Sequence, residues 1–398
     1  MSSGRLSGEL LSGLDAPICL TWELTYGCNL SCVHCLSSSG VRDPRELSGA
    51  QARAFVDELV AMGVFYVNIG GGEPTLRPDF VELVEYAVSR RVGVKFSTNG
   101  TTMTRSRARR YAEMGYLDIQ ISLDGASASS NDEVRGEGTF DAALRAMGRL
   151  AGAGFGPFKV SVVVTRLNAG ELGDMLALAG QFGAELRLTR LRPAGRGVAS
   201  WNDLRPTSAQ LREVHAFLSS HPEVLTGDSF FHLGPLGDEP LAGLNLCGAG
   251  RVVCLVDPVG DVYACPFVMH PAFRAGSILD PGGFGGVWRD SELFGALRKP
   301  PSGTEADVCN ACGSYGACHG GCMAAKFATG LPLDGPDPEC VLGHGERALA
   351  ALAAHPARPA RPAVHGGRGH DTPGRPVPVA FGRRAPSHAP ASAPPPTR

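Results

Sequence analysis

The chain has 398 residues, 43% of them hydrophobic, with 37 Lys and Arg against 39 Asp and Glu and a net charge of −2. This is the composition of a globular protein with room for two domains, and its mildly acidic body offers no electrostatic footprint for nucleic acid. No apolar run reaches the roughly 18 residues that span a membrane, and the first fifteen residues carry no apolar signal segment.

Residues 1–15 read as a short extension. From 16 to 221, β-like and helix-like segments alternate. Strands are predicted at 18–24, 65–69, 92–97, 117–123, 159–165 and 185–191. The first helical pattern, 47–62, opens with Ser48 and Gln51, a capping box that satisfies two orphan backbone donors. Further helices follow Pro78, Thr104, Thr139, Glu171 and Thr207. Six β-α units imply a parallel sheet covered by helices and are too few for an eight-fold barrel. The expected fold is α/β: a partial, open (βα)6 TIM-like barrel with its function at the carboxyl ends of the strands. Polar signals collect at those ends. Gly70-Gly71-Gly72-Glu73-Pro74 follows the second strand and Ser97-Thr98-Asn99-Gly100 ends the third. The fourth carries Gln120, Ser122, Asp124 and Gly125, and the sixth runs into Arg190-Leu191-Arg192-Pro193.

Residues 222–246 read as a connector. Residues 247–345 form a cysteine-rich segment in which metal is expected to replace an apolar core. From 346 to 398, eight arginines face one Glu and one Asp in a Pro- and Ala-rich stretch. It is expected to be a disordered tail.

The twelve cysteines avoid the whole stretch between Cys35 and Cys247. In a long chain without an export signal, such clustering points to metal in the reducing cytoplasm rather than to disulfides. Cys28, Cys32 and Cys35, spaced C-x3-C-x2-C, follow the first strand. Three thiolates on one loop can hold three irons of a cubane iron–sulfur cluster and leave the fourth open to another ligand. A zinc knuckle competes, but it needs a fourth closed ligand. The nearby Cys19 lies within the predicted strand, as a core thiol. His270 and His319 read as polar neighbours of the later cysteines, and Phe230, Phe231 and Phe267 as packing.

This combination resembles the radical S-adenosylmethionine superfamily over residues 18–191. One departure is His34, where an aromatic residue often precedes the third cysteine. The resemblance implies that the open iron binds S-adenosylmethionine. Gly71, Gly72, Glu73 and Pro74 would receive its amino group, through glycine-turn carbonyls and the Glu73 carboxylate. Ser122 and Arg135 would hold its carboxylate, while Ser97, Asn99 and Asp124 line the same rim for ribose or substrate. The later cysteines resemble the SPASM extension, which implies two auxiliary clusters and three 4Fe–4S clusters in all. Cys309, Cys312, Cys318 and Cys340 would hold one. Cys247, Cys265 and Cys322 would hold three irons of the other. Cys254, in the run Arg251-Val-Val-Cys254-Leu-Val, is either its fourth ligand or a buried strand cysteine. A zinc ribbon is the competing reading of this set.

Longer runs resemble the mycofactocin radical maturases. They are Ala16-Pro-Ile-Cys-Leu-Thr-Trp-Glu-Leu-Thr-Tyr26, Val33-His-Cys-Leu-Ser-Ser-Ser39, Phe65-Tyr-Val-Asn-Ile-Gly70, Thr226-Gly-Asp-Ser-Phe-Phe-His-Leu233, Cys322-Met-Ala-Ala-Lys-Phe327 and Gly330-Leu-Pro-Leu-Asp-Gly-Pro-Asp-Pro-Glu-Cys340. The resemblance implies an oxidoreductase and lyase acting on a small precursor peptide that ends in Val-Tyr. Hydrogen loss from the tyrosine Cβ leads to decarboxylation. Hydrogen loss from the valine Cβ then leads to a C–C bond and a lactam. A separate peptide-binding chaperone and an external flavodoxin- or ferredoxin-like electron donor are also implied. The alternatives are another SPASM peptide maturase, forming a thioether, a formylglycine or a different cross-link, and a non-catalytic zinc- or iron-binding scaffold.

Overall fold

Side chains of β1 (Cys19–Glu23) alternate: Leu20 and Trp22 face a helical layer, and Thr21 and Glu23 face the other way. The same period of two builds β2 (Tyr66–Gly70), β3 (Gly93–Thr98), β4 (Leu117–Ser122), β5 (Lys159–Val164) and β6 (Glu185–Arg190). All six lie within one residue of the predicted strands. The computed structural model describes residues 13–226, 230–237, 247–299 and 307–354.

Helices α1 (Gly49–Ala61), α2 (Phe80–Ser89), α3 (Arg105–Ala112), α4 (Ala128–Arg135), α5 (Thr139–Gly152), α6 (Leu172–Gln181), α7 (Gly197–Leu204) and α8 (Ser208–Ser220) complete the β-α alternation. The expected capping box is present, with the Gln51 amide donating to Ser48 Oγ and the Ser48 amide to Gln51 Oε1. Helices α4 and α7 were not expected. The sequence of α4, ASSNDEVR, is polar almost throughout and buries only Asn131 and Val134, so it has no apolar period to read.

The sheet does not stop at the sixth strand. Its order is β6-β5-β4-β3-β2-β1-β7-β8-β9. Here β7 (Val253–Val256) pairs in parallel with β1, while β8 (Asp261–Tyr263) and β9 (Arg274–Ser277) continue antiparallel. Strands β6 and β1 do not pair, so the six parallel strands stay open. Lys95 on the inward face is half-buried, and its ammonium is pushed down to about 8 by desolvation, then by Arg187 of β6.

The apolar core crosses residue 247 without a break. Trp22 meets Phe55 edge-on at 5.0 Å, and Phe55 meets Phe284 at 5.6 Å. Phe284 and Trp288 lie on α9 (Gly283–Asp290) and Phe294 on α10 (Glu292–Arg298). The expectation that metal replaces an apolar core after residue 247 therefore needs correction for residues 253–298. Aromatic residues scattered without period along the chain converge there on the outer face of the sheet. Short helices α11 (Asp307–Asn310), α12 (Tyr315–Cys318) and α13 (Met323–Ala328) follow.

The last helix, α14 (His344–Ala354), occupies the first residues of the expected tail. Its Ala- and Leu-rich run has high helix propensity. The rest of that tail, most of the N-terminal extension, much of the connector and residues 227–229 of one matched run lie outside the described residues. Among the described residues, no helix is long and apolar enough to cross a membrane.

Candidate active site

The loop after β1 is held from outside by one buried carboxylate. Glu46 accepts from Thr25 Oγ1 at 3.0 Å, from the Tyr26 amide at 2.8 Å and from Arg42 Nε at 2.8 Å. Arg196, just ahead of α7, closes the loop from the other side. Its Nε donates to the Cys32 carbonyl at 2.9 Å, and its backbone amide donates to that of Cys35 at 2.9 Å. Cys28, Cys32 and Cys35 are half-buried thiols, none in a disulfide. Burial pushes the Cys28 and Cys32 thiols up. Arg135 opposes this at Cys32, favouring the thiolate a metal needs.

The glycine turn after β2 is locked onto this loop. The Gly72 amide donates to the Thr25 carbonyl and the Glu73 amide to that of Gly27, both at 2.8 Å. A Cβ at Gly72 would overlap the Gly27 carbonyl, so only glycine permits the contact. The carbonyls of Gly71 and Gly72 accept no hydrogen bond from the described residues. Two half-buried acceptors beside three thiols fit the ammonium group of the implied ligand.

The Glu73 side chain is placed differently from the expectation. It is 1% exposed and its oxygens accept from Thr75, from Thr98 Oγ1 at 2.8 Å and from the Asn99 amide at 2.7 Å. It caps the short 3-10 turn Pro74–Leu76 and ties the ends of β2 and β3. Asn99 is engaged too: its Nδ2 donates to Asn29 Oδ1 at 3.0 Å, reaching back to the cysteine loop.

Asp124 holds an arginine and a histidine on one carboxylate. His34 Nε2 lies 2.9 Å and Arg135 Nε 2.6 Å from Oδ2, and Oδ1 accepts from the Val163 amide at 2.7 Å. Burial alone would raise this carboxyl, yet Arg135 and His34 hold it well below the usual carboxylate range. The departure at His34 is thereby explained, since that residue is the tether from the cysteine loop to the end of β4. Neither Nη nitrogen of Arg135 donates a hydrogen bond to the described residues. Ser97 and Ser122, on the inward face of β3 and β4, make none either. These three groups are open to a carboxylate or a hydroxyl.

Below the loop, Glu23 is fully buried and its carboxyl is pushed up to about 8, by burial and then by Asp257. Tyr26 donates to Asp257 at 2.9 Å. Glu23 Oε2, Asn68 Oδ1 and Gln120 Nε2 are buried without partners in the concave face. Nothing in the sequence singled out Glu23 or Asn68 as chemical groups.

The later cysteines gather in two groups. Cys309, Cys312, Cys318 and Cys340 line one small cavity, and burial pushes Cys309 up to about 11. Cys247, Cys265 and Cys322 act electrostatically on one another. Cys254 stands apart: it is fully buried in register with Leu20, and the thiols it senses are Cys19 first and then Cys265. Among the described residues, no three Cys, His, Asp or Glu side chains converge as one metal ion requires.

A joint between core and cysteine groups was not legible in the sequence. Arg190, at the end of β6, reaches Asp337 at 2.9 and 2.5 Å and Glu339 at 2.6 Å, all three buried. Asp337 also accepts from the Cys322 amide at 2.7 Å, and its carbonyl accepts from the Cys340 amide at 3.0 Å. One aspartate thus positions a cysteine of each later group.

Residues 22–179 match the model of the Radical SAM superfamily. The chain is 62% identical over 348 residues to the "Mycofactocin maturase MftC" of Mycobacterium tuberculosis, covering 87% of this chain and 88% of that one. Streptococcus suis SuiB bound to S-adenosylmethionine is similar in structure, with a TM-score of 0.67 at 18% identity over 85% of this chain and 80% of that one. SuiB bound to its precursor peptide SuiA also gives 0.67, at 19% identity over 85% and 78%. At that identity the two solved structures show a shared fold.

Proposed function

The chain belongs to the mycofactocin maturase family of the radical S-adenosylmethionine superfamily, and from that premise we propose a two-round reaction on a small precursor peptide ending in Val-Tyr. The first round oxidatively decarboxylates the tyrosine. The second joins the valine Cβ to the decarboxylated residue and closes a lactam. The observation that carries this reading is the 62% identity over 348 residues to a mycofactocin maturase.

S-adenosylmethionine held at an iron–sulfur cluster supplies, when bound, reductive C–S cleavage and a 5′-deoxyadenosyl radical. Cys28, Cys32 and Cys35 would hold three irons and leave the fourth to the ligand. The Gly71 and Gly72 carbonyls receive its amino group. Arg135 Nη and Ser122 would take its carboxylate, and Ser97 would serve the ribose. Pro74 fixes the turn. Glu73, Asn99 and Asp124 act by holding the rim in place, a positioning role rather than direct contact.

Residues 16–221 form the radical core, 222–246 the connector and 247–345 the auxiliary domain. Cys309, Cys312, Cys318 and Cys340 hold one auxiliary cluster. Cys247, Cys265 and Cys322 hold three irons of the other, with Cys254 as the remaining candidate. A cluster held by these thiols would supply an acceptor for the electron released in the first round. The peptide arrives with a separate chaperone, and a flavodoxin- or ferredoxin-like protein supplies electrons. Twelve free thiols support a reducing, cytoplasmic setting.

The test is anaerobic incubation with S-adenosylmethionine, reductant, chaperone and a Val-Tyr-ending peptide, read by mass spectrometry. A product lacking the terminal carboxyl group, followed by an isomeric cyclised product, is expected. A peptide returned unchanged or carrying a thioether contradicts the reading.

A further inference from the structure

We propose that Arg192 binds the C-terminal carboxylate of the precursor peptide, an inference that rests on the peptide-maturase reading above. Arg190 and Arg192 leave the end of β6 two residues apart and meet different surroundings. Arg190 is bonded to Asp337 and Glu339. Arg192 is also buried, at 6% exposure, yet no carboxylate pairs with it among the described residues, and its Nε and Nη1 have no hydrogen-bond partner. A buried guanidinium without an anion is costly. A planar fork with free N–H donors is the geometry that carboxylates bind. The Phe267 ring, 4.0 Å from the guanidinium carbon, holds the fork in orientation.

The location suits a reacting chain end. The segment after Arg192 is pressed against the cysteine loop: a Cβ on Gly195 would overlap the Cys35 and Leu36 carbonyls. On its other side Arg192 acts electrostatically on Cys265. Arg192 therefore lies at the seam between the first and the later cysteines. Phe267 also lines an open crevice there with Leu36, Pro193, Met269 and Phe327. Its apolar walls match the valine and tyrosine side chains, and the neighbouring cation matches the terminal charge. The carboxylate held this way is the one the first round removes. Arg192 is then needed in the first round alone, and losing that anchor frees the chain end to present its valine in the second.

The thiol neighbours offer a rival role, in which Arg192 only offsets the charge of the Cys247, Cys265 and Cys322 group. Binding of a labelled Val-Tyr peptide to the wild-type protein, as free acid and as C-terminal amide, needs no variant. The free acid should bind roughly tenfold or more tighter, the effect of one charge-assisted pair. Arg192→Gln should bind both forms alike, and Arg192→Lys should restore part of the preference. In turnover, Arg192→Gln should raise KM in the first round and leave conversion of a synthetic decarboxylated peptide at the wild-type rate. Equal binding of acid and amide by the wild type overturns the proposal. So does an equal loss of both rounds in Arg192→Gln, or a changed auxiliary-cluster paramagnetic signal with the acid preference intact. A wild-type protein that leaves the Val-Tyr peptide unconverted overturns the peptide reading itself.

Discussion

Asp124 is the residue whose loss should cost most. With the His34 ring and the Arg135 guanidinium on one buried carboxylate, Asp124→Asn leaves Arg135 short of its counter-charge. Breaking such a pair is expected to destabilise the fold by about 3–5 kcal/mol, measured by chemical unfolding at neutral pH. An unfolding midpoint unchanged from wild type would contradict it. The sign of the pH dependence follows from the depressed carboxyl. Its stabilisation is full above the ordinary carboxylate range and is lost as pH falls through the folded value. Glu23 has the opposite sign. Between the ordinary 4.5 and about 8 the folded chain keeps a proton that the unfolded chain releases. Stability therefore falls as pH rises through that window, and Glu23→Gln should flatten the decline. The motifs point to Glu73, Asn99 and Asp124, which lie at the strand ends, but they do not show what each side chain bonds to. The partners Thr98, Asn29 and His34 come from segments far away in the chain, and spacing carries no information about them.

At the scale of elements, strand alternation was readable because each strand buries one face under a helix. Helix α4 presents no apolar stripe, and α7 is only eight residues long, so its buried Gly197, Trp201 and Leu204 give a single short period behind the Pro193-Ala-Gly195 turn. The glycine turn was legible as a motif, but its reason is steric and appears only when the cysteine loop is seen against it. Gly72→Ala forces the turn off the Gly27 carbonyl. It should lower bound iron by about one third, the share of one cubane among three, with the auxiliary iron retained. Colorimetric iron and sulfide analysis of anaerobically purified protein checks this, and full iron content in the variant would contradict it.

Across the whole molecule, the sheet joins what the sequence divided. Strand β7 pairs with β1, and a single apolar cluster spans both parts. The partition of the later cysteines into four and three follows from the family resemblance; Cys309, Cys312, Cys318 and Cys340 line one cavity, and Cys265 senses Cys322 and Cys247. The Arg190–Asp337–Glu339 joint that sets their spacing was invisible, since its arginine lies about 150 residues upstream of its carboxylates. Cys312→Ala should stop peptide turnover while sparing uncoupled release of 5′-deoxyadenosine; equal loss of both would argue against an electron-acceptor role for that group. The most direct measurement uses a Val-Tyr peptide labelled with carbon-13 in its terminal carboxyl group, supplied with chaperone and reductant. The account predicts labelled carbon dioxide that depends on S-adenosylmethionine and appears in proportion to 5′-deoxyadenosine, and its loss in Cys28→Ala. Labelled carbon dioxide without S-adenosylmethionine, or 5′-deoxyadenosine with the label still on the peptide, would contradict it.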